Sequence, residues 1–251
     1  MKPSTLSNSF LYLVFALICI SSIGCGPNFG EKLEIEGTEI YYKDGATQAD
    51  AQKLGDKLKE LQFVDGNRKS VQLLKPDDVW EFRMAVGKSG NSEAIRNQMK
   101  RYCLELSSAF DGAPVEVHIC NSGLESKSVV KGLSGKRYQY TYKNSSTVCF
   151  YQDIDIAKVK RFVAIAKGSE LDRGDDSTFH ISKSADAIEI RMARSVEAQK
   201  NKAVMVAATN AAVSASNTLF GGKRVDVLIC DPYFDSPKVF SSVKKAKPAA
   251  P

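Results

Sequence analysis

Two histidines, four cysteines beyond residue 25, and two Glu-x-Arg pairs are the side chains of this sequence best equipped for chemistry. A cysteine nucleophile needs a neighbouring base to hold its thiol as thiolate, and His118 stands two residues before Cys120. In the matching stretch further on, Leu228 stands before Cys230, so the pairing is not repeated. A metal centre needs three or four ligands converging at about 2.0–2.3 Å. Each half of the chain supplies at most one His and one or two Cys, without close spacing. The sequence therefore predicts no catalytic residue, no metal centre and no cofactor.

The bulk properties set the frame. The 251 residues, 43% of them apolar, suit one large or two ordinary globular domains. Thirty-five basic against 29 acidic residues give a formal charge of +6. Part of that charge sits at Lys238, Lys244, Lys245 and Lys247, so it is too dispersed to indicate nucleic acid.

The strongest pattern inside the chain is a repeat. Ile40 to Ala85 aligns without gaps onto Val148 to Ala193 at a shift of 108, pairing Trp80-Glu81-Phe82-Arg83-Met84-Ala85 with Ile188-Glu189-Ile190-Arg191-Met192-Ala193 and Gly66 with Gly174. At a shift of 110, Val115 to Cys120 matches Val225 to Cys230. Apolar residues at helical spacing (Ala51, Leu54, Leu58, Leu61) alternate with strand-like runs of period two. The order strand, helix, strand, strand, helix, strand predicts an α+β fold: a tandem duplication of a ferredoxin-like (split βαβ) module with an extra N-terminal strand per copy. The boundaries are 31–131 and 132–240, with a disordered tail over 241–251.

If Trp80, Phe82 and Met84 face the helices, period-two alternation puts Glu81, Arg83, His118 and Cys120 on the other side of the sheet. In the second copy the same phase places His180, Glu189, Arg191 and Cys230 there. That shared open face is either a surface for a ligand or partner, or an ordinary polar sheet face with cross-strand ion pairs.

The N-terminus carries an address. Lys2 precedes an apolar run from Phe10 to Ile20, followed by Ser21, Ser22, Ile23, Gly24 and Cys25. This is a charged region, a short apolar region and a small-residue cleavage zone over 1–24. The tetrad Ser22-Ile23-Gly24-Cys25 resembles the lipobox of bacterial lipoproteins, with Ser22 where Leu is usual. The resemblance covers residues 1–25 and implies acylation of Cys25, a lipidated linker over 25–30 and a membrane-anchored place in the cell envelope. Gly26 favours the outer over the inner membrane, facing periplasm or exterior. Cleavage without acylation and an uncleaved single-pass anchor remain the rival readings.

In an exported protein, paired cysteines form disulfides. Cys149 with Cys230 is the favoured pair, both being on strands of one copy, whereas Cys103 on an apolar helical stripe reads as a buried free thiol. Ala203 to Phe220 carries no charge and many small residues, which predicts a helix buried on more than one side, between the copies or at a homodimer contact. The expected function is that of a non-catalytic binding or scaffolding module held close to a membrane. A membrane-tethered enzyme with its site between the repeats is the alternative.

Overall fold

The computed structural model describes residues 28–242 apart from 88–91, 143–144, 168, 170, 172–176, 196 and 236. The expected leader over 1–24, Cys25, Gly174 and the expected tail beyond 242 lie outside the described residues. The first copy runs β1 (Glu31–Ile35), β2 (Thr38–Lys43), α1 (Gln48–Glu60), β3 (Lys69–Leu74), β4 (Trp80–Ala85), α2 (Glu93–Ala109), β5 (Val115–Cys120) and β6 (Ser126–Lys131). The second runs β7 (Lys136–Tyr142), β8 (Ser145–Gln152), α3 (Ile156–Lys167), β9 (Ser177–Lys183), β10 (Ile188–Ala193), α4 (Lys202–Thr218), β11 (Val225–Cys230) and β12 (Lys238–Ser241).

Local chemistry starts the helices where the sequence changes period. The Thr47 hydroxyl accepts from Asp50 N–H while the Asp50 carboxylate accepts from Thr47 N–H, a reciprocal cap at α1. Ser92 caps α2 and Asn201 caps α4 in the simpler one-way form.

The result is α+β, with two six-stranded mixed sheets that repeat one module. Both sheets keep their strands in chain order. Strands joined by a helix are direct parallel neighbours (β2 with β3, β4 with β5, β8 with β9, β10 with β11), and the remaining neighbours are antiparallel. No strand is inserted between helix-linked partners, so the interleaved split βαβ order expected from the sequence is not formed. Edge competition explains why. The tight turn at Glu36-Gly37, both at positive φ, folds β1 onto the free edge of β2, and β6 takes the free edge of β5. The expected extra N-terminal strands are β1 and β7, whereas β6 and β12 were not foreseen.

Pairing also corrects the repeat alignment. Ile40 pairs with Val71 and Cys149 with Phe179, so Ile40 matches Cys149, one residue beyond Val148. Val148 instead packs on the opposite side of its sheet, with Phe150. The connection into α3 is one residue shorter than that into α1, which restores the shift of 108 in the helix: buried Ala51, Leu54 and Leu58 match buried Val159, Phe162 and Ala166. In the later helices buried Met99, Cys103 and Leu106 match Ala208, Ala212 and Ala215, a shift of 109.

Each sheet buries one face under its own two helices. The two copies then stack by their unlike sides. From α2, Met99, Cys103 and Leu106 point into the first core, whereas Leu104 joins Phe150, Leu228, Cys230 and Phe234 of the second sheet in a separate apolar cluster. The Arg101 guanidinium lies over the rings of Phe150 and Phe234, at 5.5 and 5.9 Å, and Lys100 pairs with Asp235. Between helix and sheet threads the connection 132–135. A Cβ at Gly132 would lie 2.7 Å from Cys103 Cβ and 2.8 Å from the Lys100 carbonyl, so only glycine passes there. The layers run sheet 1, α1 with α2, sheet 2, α3 with α4.

The helix between the copies is therefore α2, so of the two places expected for Ala203 to Phe220, between the copies or at a homodimer contact, the first is not the one it takes. The alanines of α4 let it lie close on its own sheet, and its far side is exposed at Val206 and Val213. Leu104→Ala should lower the unfolding free energy by about 2–5 kcal/mol. Its positional match Val213→Ala should change it by no more than about 0.5 kcal/mol. Urea denaturation of the two variants against the wild type measures both, and equal costs would contradict the stacking.

Candidate functional site

Among the described residues, the outer face of sheet 1, opposite α1 and α2, is the one sheet face that no helix covers. Register places Tyr41, Gln72, Arg83, His118 and Val129 in one row across β2 to β6. Of the residues predicted for an open face, Glu81, Arg83 and His118 meet here. Arg83 Nη2 and Nε donate to Glu81 Oε2 at 2.6 and 3.1 Å. His118 Nε2 lies 3.8 Å from that carboxylate and 3.9 Å from Glu116, which Lys131 Nζ reaches at 2.6 Å. His118 Nδ1 is 3.1 Å from the Ser126 hydroxyl. Burial pushes the His118 pKa below the ordinary histidine value, with Arg83 adding to it and Glu81 opposing.

Two features of this face were missed by sequence reading. Glu39 gathers Ser70 Oγ (2.9 Å), Lys32 Nζ (3.3 Å), Arg68 Nη2 (3.2 Å) and Tyr41 Oη (3.2 Å). The Ser70 and Lys32 bonds hold its carboxyl down at about 2. The incoming chain also lies on the face: the Phe29 ring is 5.3 Å from that of Tyr41, and Gln72 Nε2 donates to the Phe29 carbonyl at 2.7 Å. No signal in the sequence ties residue 29 to residue 72.

The second copy's half of the predicted face is not open. His180 and Arg191 point to the side expected from their phase, but α2 and the connection 132–135 cover that side. His180 is 1% exposed, with Nε2 2.9 Å from the Ser134 carbonyl and its ring 6.4 Å from that of Phe234. Arg191 donates to Glu189 at 2.9 Å and to the Phe234 carbonyl at 3.4 Å. Burial lowers the His180 pKa, and Arg191 pushes the same way.

The cysteines also depart from expectation. Cys103, Cys120, Cys149 and Cys230 are all free. Cys149 sits in the helix-side core and Cys230 on the opposite face of the sheet. Two strands separate β8 from β11, about 14 Å at roughly 4.8 Å per strand, too far for a bridge. Burial raises all four thiols, Cys103 to about 12 and Cys230 to about 11. Cys120 Sγ donates to the backbone carbonyl of His118, 3.4 Å away, rather than to its ring. No thiolate nucleophile is prepared at this site.

Elsewhere a cleft of about 690 Å³ opens where the copies meet, lined by Phe110 to Ala113, Lys136 and Tyr151 to Ile156. Asp111, Asp153 and Asp155 are among its lining residues. Among the described residues no group of three or more His, Cys, Asp or Glu is arranged to hold a metal, and no helix is long and apolar enough to cross a membrane.

A family model described as a family N-terminal domain matches residues 32–131, which run from β1 to the end of β6. Comparison with curated proteins finds no match.

The buried histidines give the fold a pH dependence. With the folded pKa below the ordinary value of about 6.5, the unfolded chain binds protons that the folded chain refuses, so stability is full above about pH 6.5 and falls as pH drops through the folded pKa. His180→Gln can keep the bond to Ser134, as Gln72 does to Phe29. It should therefore flatten the loss of stability between about pH 7.5 and 5. Urea midpoints at the two pH values test this, and an unchanged slope would refute the role of His180.

Proposed function

We propose that the chain is a non-catalytic cell-envelope lipoprotein, anchored through acylated Cys25, whose outer face of sheet 1 is a docking surface for binding or scaffolding. The observation that carries this reading is the unequal fate of one face in two copies. In the second copy the face is occupied by a helix, while in the first no helix among the described residues covers it. Its charged groups compensate one another (Arg83 with Glu81, Lys131 with Glu116, Lys32 and Arg68 with Glu39), which suits recognition better than proton transfer. Phe29 rests on this face only four residues after Cys25, about 14 Å of extended chain at roughly 3.5 Å per residue, so the face lies close to the tether. A lipid anchor with two or more acyl chains holds stably where one does not.

Metabolic labelling with a clickable palmitate, wild type beside Cys25→Ser, should label only the wild type and shift the variant out of the membrane fraction. Absence of label in both would refute the lipoprotein reading. The mass of the N-terminus would then separate a released exported protein from one keeping Phe10 to Ile23 as an anchor.

The cleft supports a second reading, a membrane-tethered enzyme with its site between the repeats, because Asp111 and Asp155 have Gly221 and Thr47 as their repeat matches, so neither carboxylate is repeated. A thermal-shift screen of small cationic and sugar ligands tests it. A ligand whose stabilisation disappears in Asp153→Asn favours the enzyme, and a screen without hits removes it.

A further inference from the structure

The covered and uncovered sheet faces match in detail. Gln72 binds the carbonyl of Phe29, two residues before β1, and His180 binds that of Ser134, two residues before β7. Gly30 and Gly135 each press against the backbone carbonyl of a tyrosine, Tyr42 and Tyr151. The Arg83–Glu81 pair is repeated by Arg191–Glu189. Asn121 and Asp231 cap the same turn, each accepting from the backbone N–H two and four residues on. That turn puts Leu124 and Phe234 at positive φ, and both are buried. In sheet 2 this surface binds a helix.

The helical sides match as well. At a shift of 109 the residue in α4 equivalent to Leu104 is Val213, which is 42% exposed, and Val206 one heptad earlier is 60% exposed. These are two large apolar side chains in solvent, on a helix without a charged residue after Lys202. The described residues thus end in an uncovered sheet face on one side and an uncovered helix face on the other, continuing at both ends the interface that joins the copies.

We propose that the outer face of α4 docks onto the outer face of sheet 1 of a second copy of this chain, head to tail, repeating between molecules the stacking of α2 on sheet 2. The proposal rests on the docking role given above to sheet 1 and names its occupant. Val213 enters the space beside Tyr41, His118 and Leu124, as Leu104 does beside Phe150, Leu228 and Phe234. Such a contact joins unlike surfaces, so it leaves a free face at each end and extends into rows. The Lys100–Asp235 pair becomes Thr209 opposite Glu125, and Arg101 becomes Asn210, so the contact between molecules is the weaker and reversible one. Confinement to a membrane surface raises the effective concentration in its favour.

The test uses the full chain expressed in bacterial cells with benzoylphenylalanine at position 213. Irradiation should give a ladder of dimer, trimer and higher species, with the cross-linked partner peptide carrying Tyr41, Arg83, His118 or Leu124. Arg83→Glu should reduce the ladder at least tenfold. With the cross-linker moved to position 41, Val213→Asp should do the same, and the exposure of Val213 means that its melting temperature stays that of the wild type. A lone monomer band, an α4-to-α4 adduct or a ladder indifferent to Arg83→Glu would overturn the proposal. The palmitate label reads out separately: a ladder without label rejects the anchor and keeps the stack, while label without a ladder does the reverse.

Discussion

The two-sided burial of α2 is the constraint on which the rest of the molecule depends. One side of this helix, through Met99, Cys103 and Leu106, completes the first core. The other side sends Leu104 into the second sheet and lays Arg101 across two aromatic rings. A helix with two buried sides still has to satisfy its polar groups. Glu105 is buried yet held by Arg101 at 2.9 Å and Lys57 at 3.3 Å, and Ser107 Oγ accepts from Gly135 N–H at 2.9 Å. Leucine supplies the apolar contact, and the charged groups fix which face of the second sheet it meets.

This stacking decides what becomes of residues that are equivalent by repeat. Gln72 and His180 make the same bond to the same point of the entering chain, but only His180 is sealed beneath a helix. Phe150 and Leu228 stand where the first copy has Tyr41 and His118, so the covered face is apolar and the uncovered one polar. A duplicated module whose copies stack by unlike faces leaves one of each face unused. The unused sheet face is polar, whereas Val206 and Val213 remain exposed at the other end.

The thiols follow the same logic. Cys103 sits against Gly132 at the crossing of helix and connection, Cys149 lies in the second core, and Cys230 faces α2. Each is a small apolar filler whose protonated form is favoured by burial. They hold space at contacts between layers and leave the bridging chemistry of cysteine unused.

The sequence by itself determined the duplication, the helices, most of the strands and the side to which each strand residue points, because these depend on periodicities of 3.6 and 2 and on caps such as Thr47 and Ser92 that act within a few residues. Strand order was beyond it, since β1 occupies the outer edge of β2 and β6 that of β5, and which strand takes which edge is decided by pairing between distant residues. A one-residue slip at Ile40 against Cys149 was also beyond it: the apolar runs of β8 read equally well in either phase, and only pairing with β9 selects one. Solvent exposure was settled last. The phases of His180 and Arg191 were legible, but whether their face is open depends on a helix some eighty residues earlier in the chain, and such long-range packing leaves no local mark on the strands it covers.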